Sequence, residues 1–275
     1  MRVAVLGLGA IGRLVSRDLE RRAEVIGIDR TTAPLRPGEP QVDAAIVCAK
    51  TPGTAWAAGI VGRLLRPDGL ALTVQNGLGN REALAAEVGS DRAALGALYA
   101  GAYLDGERLV QSGTPRLDVL RPAHGHAAGL LDELVAALRA AGWEIAIVDA
   151  VGPLLWRKLV ANAAINPTTA LLDIENGGLS AHPTGARLAD ALAEEAARVA
   201  TAAGVPIAAE EARALWRTAA ERTAANRSSM LEDVRAGRET EIDAICGGVV
   251  RCARRRGVAA PLCAAMVSLI GALRP

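Results

Sequence analysis

MRVAVLGLGAIG, residues 1–12, is the stretch that decides the fold. A short apolar run opens it and a helical pattern follows it. The run ends in a glycine motif, Gly7-Leu8-Gly9-Ala10-Ile11-Gly12. In a dinucleotide site the first glycine makes a tight turn, the second admits a pyrophosphate and the third lets helix and strand pack closely. The alternative is a glycine-rich turn without a ligand, but the position between a strand and a helix favours the dinucleotide site.

The first 150 residues alternate short apolar runs with helical stretches, which predicts a mostly parallel sheet covered by helices. Helical stretches lie between the earlier strands, for example Ala10–Arg22 and Thr54–Leu65. The predicted strands are Arg2–Leu6, Glu24–Ile28, Ala44–Cys48, Leu70–Val74, Ala94–Tyr103, Arg116–Leu120 and Trp143–Val148.

From Gly152 onward the strand signal disappears. The predicted helices are Leu154–Ile165, Thr184–Ala203, Ala208–Arg222 and Arg238–Arg256. Gly204 can cap the second of these helices, and Pro206 prevents its continuation. The pattern predicts an α/β domain over residues 1–150 and an all-helical domain over residues 151–275.

Composition excludes several classes of protein. The chain has 275 residues, 51% of them hydrophobic, so it can bury a substantial core. A net charge of +1 and an aromatic content of 2% argue against nucleic-acid binding, which needs a basic surface and stacking platforms. The most membrane-like stretch, Val258–Leu273, is too short for a span and contains Pro261 and Gly271. We therefore expect neither a nucleic-acid nor a membrane partner.

The thiols and the N-terminus predict a cytoplasmic protein. Four cysteines, Cys48, Cys246, Cys252 and Cys263, include no C-x-x-C pair, and three of them lie in apolar helical sequence typical of reduced core residues. The first residues enter a strand directly, without the apolar region and cleavage site of a secretory signal.

The residues that end the second strand normally select the cofactor. Here they are Asp29 and Arg30. An acidic side chain binds the ribose diol and favours NAD, whereas an arginine pairs with a 2′-phosphate and favours NADP. The pair by itself leaves the choice open, and it can also be simply a polar strand end.

Lysine is rare in this chain. Of 31 Lys and Arg residues only Lys50 and Lys158 are lysines. A lysine can lose its proton when burial shifts its pKa, so it can act as an acid where arginine cannot. Two lysines can also fall anywhere by chance, and their surroundings therefore matter.

Lys158, Asn162 and Asn166 recur every four residues, which places them on one face of an otherwise apolar helix. An exposed polar face is the alternative, and Asn166 before Pro167 can also mark a helix end. Lys50 and the segment Gln75-Asn76-Gly77-Leu78-Gly79 each follow a strand at its carboxyl end, where α/β sheets bind ligands. An Asn-Gly turn explains the second case equally well.

Together these motifs resemble the ketopantoate reductase (2-dehydropantoate 2-reductase) family, over nearly the whole chain. The matching segments are Gly7–Gly12, Lys50, Asn76–Gly79, Trp156–Pro167, Asn176-Gly177, Ser228–Asp233, Thr240–Asp243 and Gly257–Pro261. The resemblance implies a Rossmann-type N-terminal domain, an all-helical C-terminal domain and an active site in the cleft between them. It also implies reduction of 2-dehydropantoate to (R)-pantoate with NADPH, on the route to pantothenate and coenzyme A.

The resemblance further implies residue roles. Lys158 matches the catalytic lysine, and Glu241 matches the glutamate that orders substrate and lysine. The residues that match substrate-binding positions are Asn162, Asn166, Asn176 and Ser229. Lys50 and Asn76 match residues near the nicotinamide and its ribose, and Arg30 matches the 2′-phosphate arginine, so we expect NADPH rather than NADH.

Local structure can also explain some of these residues. Ser229 with Glu232 fits a helix capping box, and Glu241 can pair with Arg238 on a helix face. His124, His126 and His182 lack partners at metal-ligand spacing, so we interpret them as loop residues and expect no metal site.

The chain departs from the family between Arg30 and Asp43. Only about a dozen residues lie there, including Pro34, Pro37 and Pro40, where family members have a longer stretch with another strand pair or hairpin. This region flanks the adenine end of the cofactor, so cofactor choice is less firmly predicted than the chemistry.

Two rival functions remain. One is a two-domain reductase of another 2-oxo or imino acid, and the other is a non-enzymatic dinucleotide sensor, which would need neither Lys158 nor the asparagine face. The Ala- and Leu-rich helical half is compatible with a homodimer.

Overall fold

The computed structural model describes residues 1–31, 41–122, 125–150 and 152–273. The chain folds into two compact units. The first comprises Met1–Gln75 and Gly79–Val151, and the second comprises Asn76–Leu78 and Gly152–Pro275. The short segment Asn76–Leu78 thus belongs with the helical part, although the division expected at residue 150 places it in the first half.

A seven-stranded sheet forms the centre of the first unit. Its strands are β1 (Arg2–Leu6), β2 (Glu24–Ile28), β3 (Val42–Val47), β4 (Leu65–Thr73), β5 (Ala93–Asp105), β6 (Arg108–Leu120) and β7 (Glu144–Val148). The strand order is β2-β1-β3-β4-β5-β6-β7. All neighbouring pairs are parallel except β5 and β6, which form a long antiparallel hairpin. That exception arises because only two residues join the two strands, too few for a crossover helix.

Helices cover both faces of this sheet. They are α1 (Ala10–Leu19), α2 (Thr54–Leu64), α3 (Asn80–Val88) and α4 (His126–Ala140). Val3 and Val5 of β1 join α1 and α4 in one apolar core, whereas Ala4 and Leu6 join α2 and α3 in another. The alternation of side chains along a strand explains this division. The unit is a Rossmann-like α/β fold, as the sequence predicts.

The second unit is helical in the part that the structure describes. Its helices are α5 (Gly152–Leu172), α6 (Asn176–Ala181), α7 (Pro183–Ala202), α8 (Ala209–Arg222), α9 (Ser229–Arg235), α10 (Ile242–Arg256) and α11 (Pro261–Ala272). One apolar core spans these helices and includes the buried Trp156 and Trp216. No described helix is long and apolar enough to cross a membrane.

Helix α5 differs from its prediction. The expected end near Ile165 is wrong, because the helix continues through Pro167 to Leu172. The hydroxyl of Thr169 lies 2.8 and 3.2 Å from the carbonyl oxygens of Ile165 and Asn166, and a hydrogen bond to them stabilises the turn around the proline. Burial of residues 163–170 outweighs the local preference against a helix before proline.

One further prediction needs correction. His126 is the first residue of α4 rather than a loop residue, whereas His182 lies between α6 and α7, outside both helices, as predicted. His182 accepts a hydrogen bond from the Gly185 amide at 3.0 Å, so it caps α7. His124 and the segment with Pro34, Pro37 and Pro40 lie outside the described residues.

Glu195 is a buried carboxylate on α7 that caps the N-terminus of a different helix, α11. Its side chain on α7 is 1% exposed and accepts hydrogen bonds from the amides of Leu262 and Cys263, at 3.1 and 2.7 Å. These N–H groups belong to the first turn of α11, where they have no acceptor within the helix. A negative charge at this end of a helix also interacts favourably with the helix dipole.

We expect Glu195→Gln to lower the free energy of unfolding by about 1–3 kcal/mol, since the new amide group cannot accept both bonds. The neighbouring Glu194 pairs with Arg213 in a partly exposed position. Glu194→Gln is therefore the control, with an expected loss below about 1 kcal/mol. Denaturant unfolding followed by tryptophan emission measures both, and equal losses would contradict the capping role.

Candidate functional site

The glycine motif forms a close-packed turn between β1 and α1. Gly7 has φ +92°, and a Cβ there would lie 2.4 Å from the Cα of Ala49. A Cβ on Gly12 would lie 1.9 Å from the carbonyl oxygen of Gly7. At Gly9, in contrast, a Cβ would meet nothing within 4 Å. Gly7 and Gly12 are therefore required by packing, whereas Gly9 leaves open space on the loop.

This loop fits the pyrophosphate of a dinucleotide. Helix α1 begins at Ala10 with Gly9 as its N-cap, and no side chain caps it. Its first turn contains no acidic residue, so the N-terminal N–H groups and the helix dipole favour an anion. Leu8 and Ile11 are partly buried and pack against the core of the sheet.

Arg30 follows β2 and lies on the surface of the first unit. Its guanidinium Nη2 donates to the Pro52 carbonyl at 3.0 Å, and its amide donates to the Asp29 carboxylate at 2.8 Å. The first contact places the cation beside the 3₁₀ turn Thr51–Gly53 that precedes α2. An exposed arginine held by a carbonyl keeps N–H groups that can pair with a phosphate.

Lys50 and Cys48 follow β3 at its carboxyl end. Lys50 is exposed, and its carbonyl accepts from the Gly53 amide at 2.7 Å, which starts the 3₁₀ turn. Burial raises the pKa of Cys48 to about 12. Cys48 is thus a neutral thiol and not a nucleophile.

Sequence reasoning missed a buried polar network at this edge of the sheet. It centres on Gln75, which is 5% exposed at the end of β4, and includes Thr54, Thr73 and Asn80. The sequence does show Gln75 just after a strand that ends in Thr73, but it does not show that the side-chain amide of Gln75 is buried.

In the second unit, α5 carries the predicted asparagine face. Lys158 and Asn162 are half-buried, and Asn166 is 7% exposed. Their spacing of four residues within one continuous helix places all three on the same face.

Lys158 lies beside the carboxylate of Glu241, the N-cap residue of α10. Burial lowers the pKa of Lys158 from 10.5 to about 8, and the negative charge of Glu241 opposes this shift. Glu241 is itself 8% exposed and accepts a hydrogen bond from the Asn76 side chain at 3.0 Å. Lys158 and Glu241 form a charged pair in this unit, and Asn76 is bound to the carboxylate of that pair.

Asn76 reaches Glu241 because its segment packs on α10. Gly77 has φ +90°, and a Cβ there would lie 2.7 Å from the Ala244 carbonyl oxygen. Leu78 packs against the helical core. The interpretation as an ordinary Asn-Gly turn therefore leaves out the tight contact that this glycine makes.

Asn176 and Ser229 lie at the N-termini of α6 and α9. The Asn176 amide nitrogen donates to the Thr223 hydroxyl at 2.9 Å, while its oxygen is buried without a hydrogen-bond partner among the described residues. Such an oxygen can accept from a ligand.

The interpretation of Ser229 as a helix cap is wrong. Ser228 is the N-cap of α9, and its hydroxyl accepts from the Leu231 amide at 3.1 Å. The same hydroxyl shares a hydrogen bond of 2.8 Å with the Thr169 hydroxyl, which ties this end of α9 to α5. Ser229 is exposed at the first position of the helix.

The geometry also bears on the proposed ion pair of Glu241 and on the histidines. Arg238 pairs with Asp233 at 3.1 Å, whereas Glu241 contacts Asn76.

Within the four described stretches, no group of three or more His, Cys, Asp or Glu side chains could hold a metal ion.

Known proteins resemble this chain over its full length. The 2-dehydropantoate 2-reductase of Halobacterium salinarum is 33% identical, with 98% of each chain covered. A D-mandelate dehydrogenase with NADH and anilino(oxo)acetate has a TM-score of 0.89 at 20% identity, covering 99% of this chain and 98% of its own. A dimeric ketopantoate reductase from Staphylococcus aureus has a TM-score of 0.82 at 20% identity, covering 100% and 99%. The two structural likenesses show the fold alone.

Family models give the identification. The model described as ketopantoate reductase PanE/ApbA matches residues 31–120, and its C-terminal counterpart matches residues 150–274. These oxidoreductases bind a nicotinamide dinucleotide, in agreement with the glycine loop. The two matches cover most of the chain, which therefore belongs to the ketopantoate reductase family.

Proposed function

We propose that this protein reduces 2-dehydropantoate to (R)-pantoate with NADPH, in the cytoplasm, on the route to pantothenate and coenzyme A. The observation that carries the proposal is the half-buried ammonium of Lys158 beside Glu241, with Asn76 bound to the same carboxylate. A dinucleotide-binding protein without chemistry would not need a lysine whose pKa burial has lowered toward neutrality.

Lys158 acts as the general acid in this proposal. The nicotinamide supplies the hydride when the cofactor is bound. As negative charge grows on the ketone oxygen, the Lys158 ammonium stabilises it and then donates a proton from Nζ. A pKa of about 8 suits this role, because the group is mostly protonated at pH 7 yet releases its proton readily.

Glu241 and the polar side chains around it orient the reactants. Glu241 keeps Lys158 charged and holds the Asn76 amide. We assign substrate binding to the four residues Asn162, Asn166, Asn176 and Ser229. Neutral amides and a hydroxyl can bind a 2-oxo acid by hydrogen bonds.

The cofactor proposal rests on Arg30. Its guanidinium is placed beside the turn before α2 by the Pro52 carbonyl, and it carries further N–H donors that could pair with a 2′-phosphate. Lys50 and Asn76 would bind near the nicotinamide and its ribose, and the glycine loop would hold the pyrophosphate. A homodimer is part of the proposal, since a dimeric family member shares the fold.

The direct test is oxidation of NADPH or NADH by the purified protein with ketopantoate and a panel of other 2-oxo acids. We expect ketopantoate with NADPH to give the highest kcat/KM. Phenylglyoxylate belongs in the panel because a D-mandelate dehydrogenase shares the fold at a TM-score of 0.89. Preference for another acid would favour the rival reductase, and no oxidation with any acid would favour a dinucleotide sensor.

Lys158→Ala should lower turnover by about 10²–10⁴, the usual effect of losing a positioned acid. Lys158→Arg keeps the charge but has a far higher pKa and a wider planar group, so it should restore little activity. Steady-state rates, measured beside a cofactor titration, test both variants. An alanine variant within threefold of the parent, or an arginine variant near the parental rate, would contradict the proposed acid.

The pH profile should depend on Glu241. Reduction needs protonated Lys158, so the rate should be constant below pH about 8 and fall as pH rises through that pKa. Because the Glu241 carboxylate raises the pKa of Lys158, Glu241→Gln should move the falling limb to lower pH. The exposed Glu239 offers a control, and Glu239→Gln should leave the limb in place. A limb that stays or moves upward in Glu241→Gln would rule out this coupling.

Cofactor preference should depend on Arg30. Arg30→Ala should raise KM for NADPH more than KM for NADH, because only NADPH carries the 2′-phosphate. Arg63→Ala removes another charge of the same unit at the far end of α2 and serves as the control. If both cofactors change equally, or the parent already prefers NADH, Asp29 determines the choice instead.

A further inference from the structure

Gln75 uses its whole amide inside the first unit. Its Nε2 donates to the Ala49 carbonyl and to the Thr54 hydroxyl, both at 2.8 Å. Its Oε1 accepts from the Thr73 hydroxyl at 3.0 Å. The Thr54 hydroxyl then donates to Asn80 at 3.0 Å, so the network also joins the first residues of α2 and α3.

The contact with Ala49 bears on the glycine loop. Ala49 lies directly against Gly7, where a Cβ would come within 2.4 Å of the Ala49 Cα and 2.5 Å of its nitrogen. Gly7 in turn has its carbonyl oxygen against Gly12, the first-turn glycine of α1. Since the space between Gly7 and Ala49 cannot hold even a methyl group, Ala49 cannot shift toward Gly7 without displacing the loop.

We infer that Gln75 is a positioning residue for the cofactor loop. Its bond to the Ala49 carbonyl fixes the turn after β3 against Gly7, and so holds the loop ready for a pyrophosphate. This inference rests on the proposed function, because it assumes that the loop binds a nicotinamide dinucleotide. Gln75 touches neither substrate nor cofactor in this role.

The chemistry of the site requires glutamine. The Gln75 side-chain amide donates two hydrogen bonds and accepts one. Neither a carboxylate nor an apolar side chain can supply this combination. Thr54, Thr73, Gln75 and Asn80 are all less than 9% exposed, so each lost bond leaves a buried polar atom unpaired. A residue needed for packing alone would not require this set of donors and acceptor.

Two variants and one control test the inference. Gln75→Glu keeps the shape but loses both donors, and Gln75→Leu loses every bond. Thr73→Val is the matched control, because it breaks the two hydrogen bonds that the Thr73 hydroxyl makes with Gln75 but leaves the contact between Gln75 and Ala49 in place. Each protein is titrated with NADPH by fluorescence, well below its own Tm, and assayed with ketopantoate.

We expect both Gln75 variants to raise the Kd for NADPH at least about tenfold, while Thr73→Val stays within about twofold. At saturating NADPH, kcat and the KM for ketopantoate should remain within about threefold of the parent, since the Lys158 centre is unchanged. This separation of cofactor affinity from turnover is not expected from a general loss of stability.

Several results would overturn the inference. Gln75 variants that bind NADPH as the parent does would show that the loop does not need this amide. A Thr73→Val variant that loses as much affinity would reduce Gln75 to a structural role. A parent protein that binds neither NADPH nor NADH would overturn the proposed function itself, and the inference with it.

Discussion

The α/β unit depends on three backbone segments that pack so closely that no side chain fits between them. The carbonyl of Gly7 fills the space where Gly12 would carry a side chain, and Ala49 fills the corresponding space at Gly7. The end of β1, the start of α1 and the turn after β3 therefore cannot move independently. The helix that begins at this contact has no side-chain cap, and the N–H groups of its first turn are what an anion site requires. Packing and binding thus make the same demand on these glycines.

The helical unit shows a different compromise, because it partly buries a cation. Burial disfavours the charged form of Lys158 and the nearby Glu241 favours it, and the net result is a pKa lowered to about 8. Glu241 is fixed in turn by its position as the N-cap of α10 and by Asn76. The Glu241 side chain makes no capping hydrogen bond to the backbone of α10. Its carboxylate therefore acts more on the charge of Lys158 than on the stability of the helix.

The sequence predicted those features that local patterns specify. Continuous apolar runs determined β1 and β2 to the residue, and the rarity and spacing of Lys158 pointed to α5. Predictions were wrong where tertiary contacts override a local rule: α5 passes through Pro167, and Ser228 rather than Ser229 caps α9. The role of the buried Gln75 network could not be foreseen, because alternation and spacing say nothing about which amide loses access to water.

The assignment of Asn76–Leu78 to the helical unit limits how modular this protein is. The chain leaves the α/β unit after Gln75, contributes three residues to the helical unit and returns at Gly79. A fragment cut at Gly152 would lack the amide that Glu241 binds and the leucine that packs on the helical core. Exchange of domains between relatives therefore requires three splice points, after Gln75, after Leu78 and before Gly152, and the Asn-Gly-Leu tripeptide must travel with the helices rather than with the sheet that encloses it in sequence.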